Sequence, residues 1–331
     1  MNCAYLAFTD RGMALAHRLA QAQPGTVDRC GKDGVRLGDW TSRNFARCNA
    51  LVFVGAVGIA VRAIAPHCRS KATDPAVVVV DEAGQFAIPV LSGHLGGANA
   101  LARTLAAACG AVPVITTATD VRGVFAVDEW EKQAGCAVLE PERIKQVSGR
   151  LLAGEPVGFW SEFPVNGTPP AGVSPAPAQQ ADFALTLFPQ GEGLHLVPAI
   201  GVLGVGCRRG TTAQQLEAAF AAFCARYALS PRCICAAASI DLKQNEAGLL
   251  EFCAAHRWAV SFYSAGQLKT VPGNFTPSAF VCSVTGVDNV CERAAALAAG
   301  GTIRIPKQAA DGVTFALALR PYAPDWRNQN G

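Results

Sequence analysis

Along the first 120 residues, short apolar runs alternate with amphipathic stretches and glycine turns. Ala4–Phe8 has the apolar density of a buried strand, and Met13–Ala22 after it carries a helical period. Leu51–Val54 is a near-continuous apolar strand. Gly55-Ala56-Val57-Gly58 then turns into a helix over Ile59–Ala65, which Pro66 stops. Ala76–Asp81 and Gln85–Leu91 are two further strands, separated by Ala83-Gly84. The stretch VLSGHLGGANALA (Val90–Ala102) runs from strand through a glycine turn into a helix. In that helix Ala98, Leu101, Ala102, Leu105, Ala106 and Cys109 fall on one apolar face. Gly110 takes the position just past its end, and Val112–Ile115 is the next strand. Strands alternating with helices predict an α/β fold with a doubly wound, mainly parallel sheet.

The pattern weakens after about Gly135. FPVNGTPPAGVSPAPAQQ (Phe163–Gln180) is rich in Pro, Gly and Ala, as loops and linkers are. The chain therefore divides into an N-terminal α/β domain (1–130), a small middle module with this Pro-rich linker (131–198) and a C-terminal α/β domain (199–331). In the last, AIGVLGVGC is a strand and RRGTT a turn. Thr211 or Thr212 caps the next helix, with Gln214 or Gln215 completing a capping box. Leu216, Ala219, Phe220, Phe223 and Tyr227 form its buried stripe. Cys235–Ile240 is a strand, Glu246–His256 a helix and Ala259–Tyr263 a strand. Thr302–Pro306 and Val313–Leu319, joined through Asp311-Gly312, predict a closing antiparallel hairpin.

Composition narrows the partners. Half of the 331 residues are apolar, 16% are charged and the formal charge is only +3, with no basic run, so a nucleic-acid partner is not expected. The thirteen cysteines are an odd number in apolar contexts, without a CxxC pair. Cys233 and Cys235 fall on opposite faces of a strand. Small core hydrophobes in a reducing compartment, and no metal site, are the expectation. MNCAYLAFTDRGMALA lacks the basic start of a signal peptide, and the longest uncharged apolar stretches are too short and glycine-rich to span a membrane. A cytoplasmic protein with no membrane partner is expected.

In open α/β sheets, ligands sit beyond the carboxyl ends of the strands. That rule selects Gly55–Gly58, Asp81-Glu82, Ser92–Gly97 and Thr116–Asp120 in the first domain. In the last it selects Gly206–Thr212, Ser239–Lys243 and, more loosely, Ser264. Gly93, Gly96 and Gly97 give GxxGG, which is neither GxGxxG nor a phosphate loop with its lysine. The helix start is still suited to an anion such as a carboxylate, or the glycines simply serve a tight packing turn. His94 stands inside this turn as a general acid or base, or as a hydrogen-bonded support. TTATD offers hydroxyls of Thr116, Thr117 and Thr119 and the Asp120 carboxylate, for substrate and catalysis or for capping a helix. Asp74-Pro75 is a turn. Arg62, Arg122, Arg208, Arg209, Lys243 and Lys307 recur at ligand-facing turns of both domains and suggest an acidic substrate in a cleft between them. Triad, nucleophile-elbow and HExxH motifs are missing.

TDPAVVVVDEAGQFAIPVLSGHLGGANALA and PVITTATDVRGVFAVD resemble the N-terminal domain of the CbiG family. GVGCRRGT (Gly204–Thr211), ASIDLK (Ala238–Lys243) and IPKQ (Ile305–Gln308) with the following Gly312-Val-Thr resemble its C-terminal part. The likeness covers roughly 51–128 and 201–319. These are the cobalt-precorrin-5A hydrolases of the anaerobic route to cobalamin. The resemblance implies a cobalt-bearing tetrapyrrole polycarboxylate as substrate. It implies opening of its ring-A acetate δ-lactone with water, and release of acetaldehyde to give cobalt-precorrin-5B. Cobalt arrives in the substrate, so no cofactor or protein metal site is implied, and contact with other pathway enzymes or a homo-oligomer remains open. On turn placement, His94 is the general base, Asp120 supports it, and the Gly96 and Gly97 N–H groups hold the developing oxyanion. Thr116, Thr117 and Thr119 position the lactone. Ser92, Arg62, Arg122, Arg208, Arg209, Asp241, Lys243 and Lys307 complete the substrate-binding set. A corrinoid handover protein and a nucleotide-dependent α/β enzyme are the alternatives from other classes. The missing phosphate-loop lysine and GxGxxG weigh against the second.

Overall fold

The computed structural model describes residues 2–31, 34–70, 73–93 and 96–326. They form two compact units: 1–129 with 151–153, and 130–150 with 154 onward. His94 lies outside the described residues.

The first unit contains β1 (Cys3–Ala7), α1 (Asp10–Ala22), β2 (Gly25–Arg29), α2 (Leu37–Arg47), β3 (Ala50–Val54), α3 (Val57–Ile64), β4 (Ala76–Val80), β5 (Phe86–Leu91), α4 (Ala98–Cys109), β6 (Val112–Pro113) and α5 (Ala118–Arg122), and α6 (Val127–Gln133) follows. Its sheet has the order β2-β1-β3-β4-β5-β6. β1, β3 and β4 are buried along their whole length, because helices cover both faces of the sheet. Leu15 and Leu19 of α1 and Leu101 and Leu105 of α4 pack on one face. Trp40 of α2, with Ala60 and Ile64 of α3, packs on the other.

One strand departs from the parallel pattern. β5 runs antiparallel to β4, with Val80 opposite Ala87 and Val77 opposite Leu91, while β6 is parallel to β5. The link between β4 and β5 is too short for a parallel crossover. The Asp81 carboxylate closes it as a turn, accepting the N–H groups of Ala83 (3.0 Å), Gln85 (2.7 Å) and Phe86 (2.6 Å). The single rim of carboxyl ends expected from sequence is therefore two rims. Gly55–Gly58 and Asp81-Glu82 stay at the usual edge, and Ser92-Gly93, Gly96-Gly97 and Thr116–Asp120 emerge at the opposite one. At the usual edge the Phe8 ring lies against Gly55, where a Cβ would approach it to 3.0 Å. Thr9 Oγ1 donates to Glu82 there (2.7 Å).

The second unit holds two further sheets. The middle one is built from β7 (Cys136–Val138), β8 (Val157–Ser161), β9 (Val173–Pro175), β10 (Phe183–Leu185) and β11 (Leu194–Pro198), in the order β7-β11-β10-β8-β9, and α7 (Ile144–Leu152) lies between β7 and β8 in the chain. The stretch 163–180, read from sequence as loop, thus contains a short strand. A buried aromatic group underlies the sheet: Trp130 stacks on Trp326 at 4.4 Å, and Phe159 and Phe183 meet them edge-on.

The last sheet comprises β12 (Gly201–Cys207), β13 (Ile234–Ile240), β14 (Ala259–Tyr263), β15 (Thr302–Ala310) and β16 (Val313–Leu319), ordered β14-β13-β12-β16-β15. β12, β13 and β14 are parallel, and β15–β16 is the expected antiparallel hairpin. α8 (Ala213–Tyr227) and α9 (Ala247–Ala255) contribute to one core; α10 (Ala265–Lys269), α11 (Ala279–Thr285) and α12 (Cys291–Ala299) contribute to the other. Thr212 and Gln215 form the capping box of α8. Close packing of α12 on β12 requires Gly204, since a Cβ there would sit 1.9 Å from the Cys291 carbonyl oxygen. The architecture is thus α/β in several domains, with a doubly wound, mainly parallel first sheet.

Candidate active site

At the reversed edge of the first unit, the turn after β5 is set by sterics. Ser92 holds a left-handed backbone (φ 57°) and is almost buried. Ala228, Arg257 and Asp311 are the other non-glycine residues with positive φ among those described. They sit where helices end or at the β15–β16 turn, places where this conformation is ordinary. Ser92 instead leaves a strand, and its hydroxyl donates to the Asp74 carbonyl (3.0 Å). A Cβ at Gly96 would lie 2.1 Å from Ser92 Cβ and 2.6 Å from its carbonyl oxygen. Gly97, with φ 86°, is the N-cap of α4. Asp74 is a turn residue: its carboxylate accepts the N–H groups of Arg69 (2.8 Å) and Ser70 (3.1 Å).

The turn consumes part of the helix start that the sequence suggested for an anion. Ala98 N–H donates to the Ser92 carbonyl (3.1 Å) and Asn99 N–H to that of Gly93 (2.9 Å).

The same edge gathers TTATD. Thr117 is the N-cap residue of α5, but its hydroxyl makes no cap bond and donates to the Asp120 carboxylate. Asn99 Nδ2 donates to Thr117 Oγ1 (3.0 Å) and to Asp120 Oδ2 (3.1 Å), and the Arg103 guanidinium pairs with Asp120 Oδ1. Both oxygens of Asp120 are therefore held by donors, one of them cationic. Such a carboxylate is fixed in direction, which suits orienting a partner or facing a cation. Thr119 is buried, whereas Thr116 is exposed. Asn99 and Arg103, one turn apart on α4, are the site residues that sequence reasoning missed. The available signal was a buried-face asparagine and an arginine four residues on, inside an otherwise apolar helix.

Arg62 stands exposed in the last turn of α3. Arg122, exposed at the end of α5, donates to the Leu152 carbonyl (3.1 Å). Neither is brought into the Asp120 network by a hydrogen bond.

In the second unit the carboxyl ends of β12 and β13 place Arg208, Arg209, Asp241 and Lys243 on one edge. Lys243 Nζ is paired with Glu246 (2.9 Å), and the same carboxylate accepts the Gly210 N–H (2.5 Å). The Gly210 N–H, first, and Lys243 hold the Glu246 carboxyl below its ordinary range, with Arg209 adding to this. Lys243 is thus a neutralised, positioned cation rather than an open one, and Glu246 is the partner that the motif ASIDLK did not include. Arg208 and Arg209 are exposed. Lys307 is half-buried on β15, and its N–H donates to Glu292 (2.6 Å). Glu292, itself buried, also accepts from Thr276 N (2.7 Å), Thr276 Oγ1 (2.9 Å) and Asn289 Nδ2 (2.7 Å). Among the described residues no cluster of His, Cys, Asp and Glu is arranged to hold a metal ion, and no helix is long and apolar enough to cross a membrane.

Known proteins resemble this chain along most of its length. Family models described as cobalamin synthesis G N-terminal, cobalamin biosynthesis central region and cobalamin synthesis G C-terminus match residues 39–120, 125–186 and 201–318. A cobalt-precorrin-5A hydrolase from Salmonella typhimurium is 35% identical, covering 96% of this chain and 97% of its own. Another from Priestia megaterium is 33% identical, covering 84% and 80%. The crystal structure of a cobalamin biosynthesis protein G homologue from Sulfolobus solfataricus aligns over 97% of both chains at 20% identity, with a TM-score of 0.42. With its three parts matched in order and the Salmonella typhimurium relative alike nearly end to end, the chain belongs to the CbiG family.

Proposed function

We propose that this protein hydrolyses the ring-A acetate δ-lactone of cobalt-precorrin-5A and releases acetaldehyde, giving cobalt-precorrin-5B in anaerobic cobalamin biosynthesis. The near-complete length match to curated hydrolases of that substrate carries the reading. Water adds to the lactone carbonyl and the ester C–O bond breaks, leaving a carboxylate arm and a hydroxyl on the two-carbon unit. That hydroxyl then loses its proton and becomes the aldehyde as the C–C bond to the macrocycle breaks. The electron pair passes to the macrocycle, which takes up a proton.

His94 is the proposed base. Asp120, held by Arg103, Asn99 and Thr117, supports it as a fixed negative charge. The Gly96 and Gly97 N–H groups receive the oxyanion, and Ser92, Thr116, Thr117 and Thr119 shape the lactone site. Arg62, Arg122, Arg208, Arg209, Asp241, Lys243 and Lys307 recognise the carboxylate and amide-forming arms. No resident cofactor is required, because cobalt is part of the substrate, and the proposed setting is the cytoplasm.

The test is acetaldehyde release from cobalt-precorrin-5A by wild type and His94→Ala. Release that is lost in the variant, with substrate binding retained, is the expected result. Unchanged turnover in the variant removes His94 from the mechanism. Tight corrinoid binding by wild type without any acetaldehyde replaces hydrolysis with a handover role.

A further inference from the structure

The core of the second unit takes in most of its large aromatic side chains, yet Phe280 of α11 is 77% exposed. Val284, one turn later on the same helix face, is 62% exposed, and Leu242, two residues past the end of β13, is 65% exposed. Three large apolar side chains at one end of a domain are an unusual cost unless something covers them.

Their position is fixed by the fold. Val281, between the exposed residues of α11, packs on the core cluster that contains Ile240 and Leu268. The segment leading into α11 is pinned by Thr276 to Glu292, and Glu292 in turn holds the N–H of Lys307. Lys307 precedes Gln308, which pairs with Phe315, which pairs with Val205 near the carboxyl end of β12. α11 therefore rises from the same carboxyl edge that carries Leu242, Arg208, Arg209 and Lys243. Lys269 adds a cation at the end of α11, its Nζ within 3.9 Å of where a Cβ on Gly286 would stand. The acidic groups of this edge are largely spoken for: Glu246 by Lys243, Asp288 by Arg293 and Glu292 by its four donors. Asp241 and, in the β15–β16 turn beside Arg208, Asp311 are further carboxylates of this edge. The edge thus presents an apolar platform flanked by Arg208, Arg209 and Lys269.

We infer that this edge, with Phe280, Val284 and Leu242 as its floor and Arg208 and Arg209 at its rim, seats the flat face of the tetrapyrrole. A macrocycle with an apolar centre and carboxylate arms at its periphery matches that distribution of surface. The inference rests on the hydrolase reading for the substrate's identity, but not for the surface itself.

Two measurements separate the two ideas. The first is the affinity of a cobalt-free octacarboxylate porphyrin, followed by its absorbance shift. The second is the steady-state kinetics of acetaldehyde release from cobalt-precorrin-5A. Phe280→Ser should weaken porphyrin binding about tenfold, the loss expected for one aromatic side chain left uncovered, and raise KM similarly with kcat preserved. Arg208→Gln with Arg209→Gln should weaken both and flatten the salt dependence of binding. Phe86→Ser, exposed in the first unit, is the control and should change neither. Porphyrin affinity unmoved by Phe280→Ser overturns the inference. So does a wild-type dimer that Phe280→Ser converts to monomer with KM unchanged, since a second copy would then be the occupant. Porphyrin binding that depends on Phe280 in a protein that releases no acetaldehyde upholds the surface and refutes the hydrolase reading.

Discussion

Asn99→Asp replaces one buried amide by a carboxylate of the same shape at the centre of the Asp120 network. Asn99 is 1% exposed, and its Nδ2 serves two acceptors, at 3.0 and 3.1 Å. The exchange removes both donated bonds, each worth about 1 kcal/mol net and more where the acceptor is ionised. It also sets two carboxylates about 3.1 Å apart, a repulsion of about 5 kcal/mol at an effective dielectric of about 20. Protonation of the introduced group limits that term, and Arg103 offsets part of it. A loss of about 3 kcal/mol at pH 8 is therefore expected. The introduced carboxyl has a folded pKa above its unfolded value, so the repulsive part of the penalty is full above the folded pKa and disappears as pH falls below the unfolded one. Urea unfolding at about pH 5 and pH 8, with amide exchange of peptides spanning α4 and α5, reads both size and location. Acetaldehyde release should fall with the same pH dependence. A variant as stable as wild type at pH 8, or one whose loss does not change with pH, refutes the assignment of Asn99 to Asp120.

Gly96→Ala meets backbone as well as Ser92 Cβ, so the turn must open and the Ala98 and Asn99 N–H bonds to it must weaken. About 2–3 kcal/mol of destabilisation and loss of turnover are expected, and Gly97→Ala carries at least the cost of its left-handed backbone, about 1 kcal/mol. A Gly96→Ala variant that melts with wild type would contradict this steric account. The Gly210 N–H, first, and Lys243 hold Glu246 below the ordinary carboxyl range, so it stabilises the fold at neutral pH and that contribution is lost as pH falls through its lowered folded pKa. Glu246→Gln should flatten the acid limb of the melting temperature against pH; an unaltered limb in thermal scans would show that the Gly210 and Lys243 contacts do not favour the charged form.

Much of this was legible in the chain because burial and period coincide. β3, β4 and the apolar stripe of α4 were visible as uninterrupted Val, Ala and Leu patterns. Two of the motif turns share an edge: Ser92-Gly93 and Gly96-Gly97 stand at the same one as TTATD. The reversed direction of β5 was not drawn from the sequence, although the few residues around Ala83-Gly84 allow only a hairpin. β2 and α2 were missed because β2 is an exposed edge strand with no continuous apolar run. The middle sheet was illegible for a different reason. Its strands are three to five residues long, and its core is completed by Trp326, nearly two hundred residues after Trp130. Asn99 and Arg103 escaped because their partner lies in another element.

The reversal of β5 also decides where the first unit can change its length. An extra residue in the turn after Val80 falls at the edge where Phe8 covers Gly55, away from Ser92 and Asp120. An extra residue within β5 would exchange every side chain between the two faces of the sheet and deliver the following turn in a different orientation. Related chains can therefore differ in length at the first position far more readily than at the second. A gap inside β5 would mark a chain in which the Ser92 turn is no longer presented as it is here.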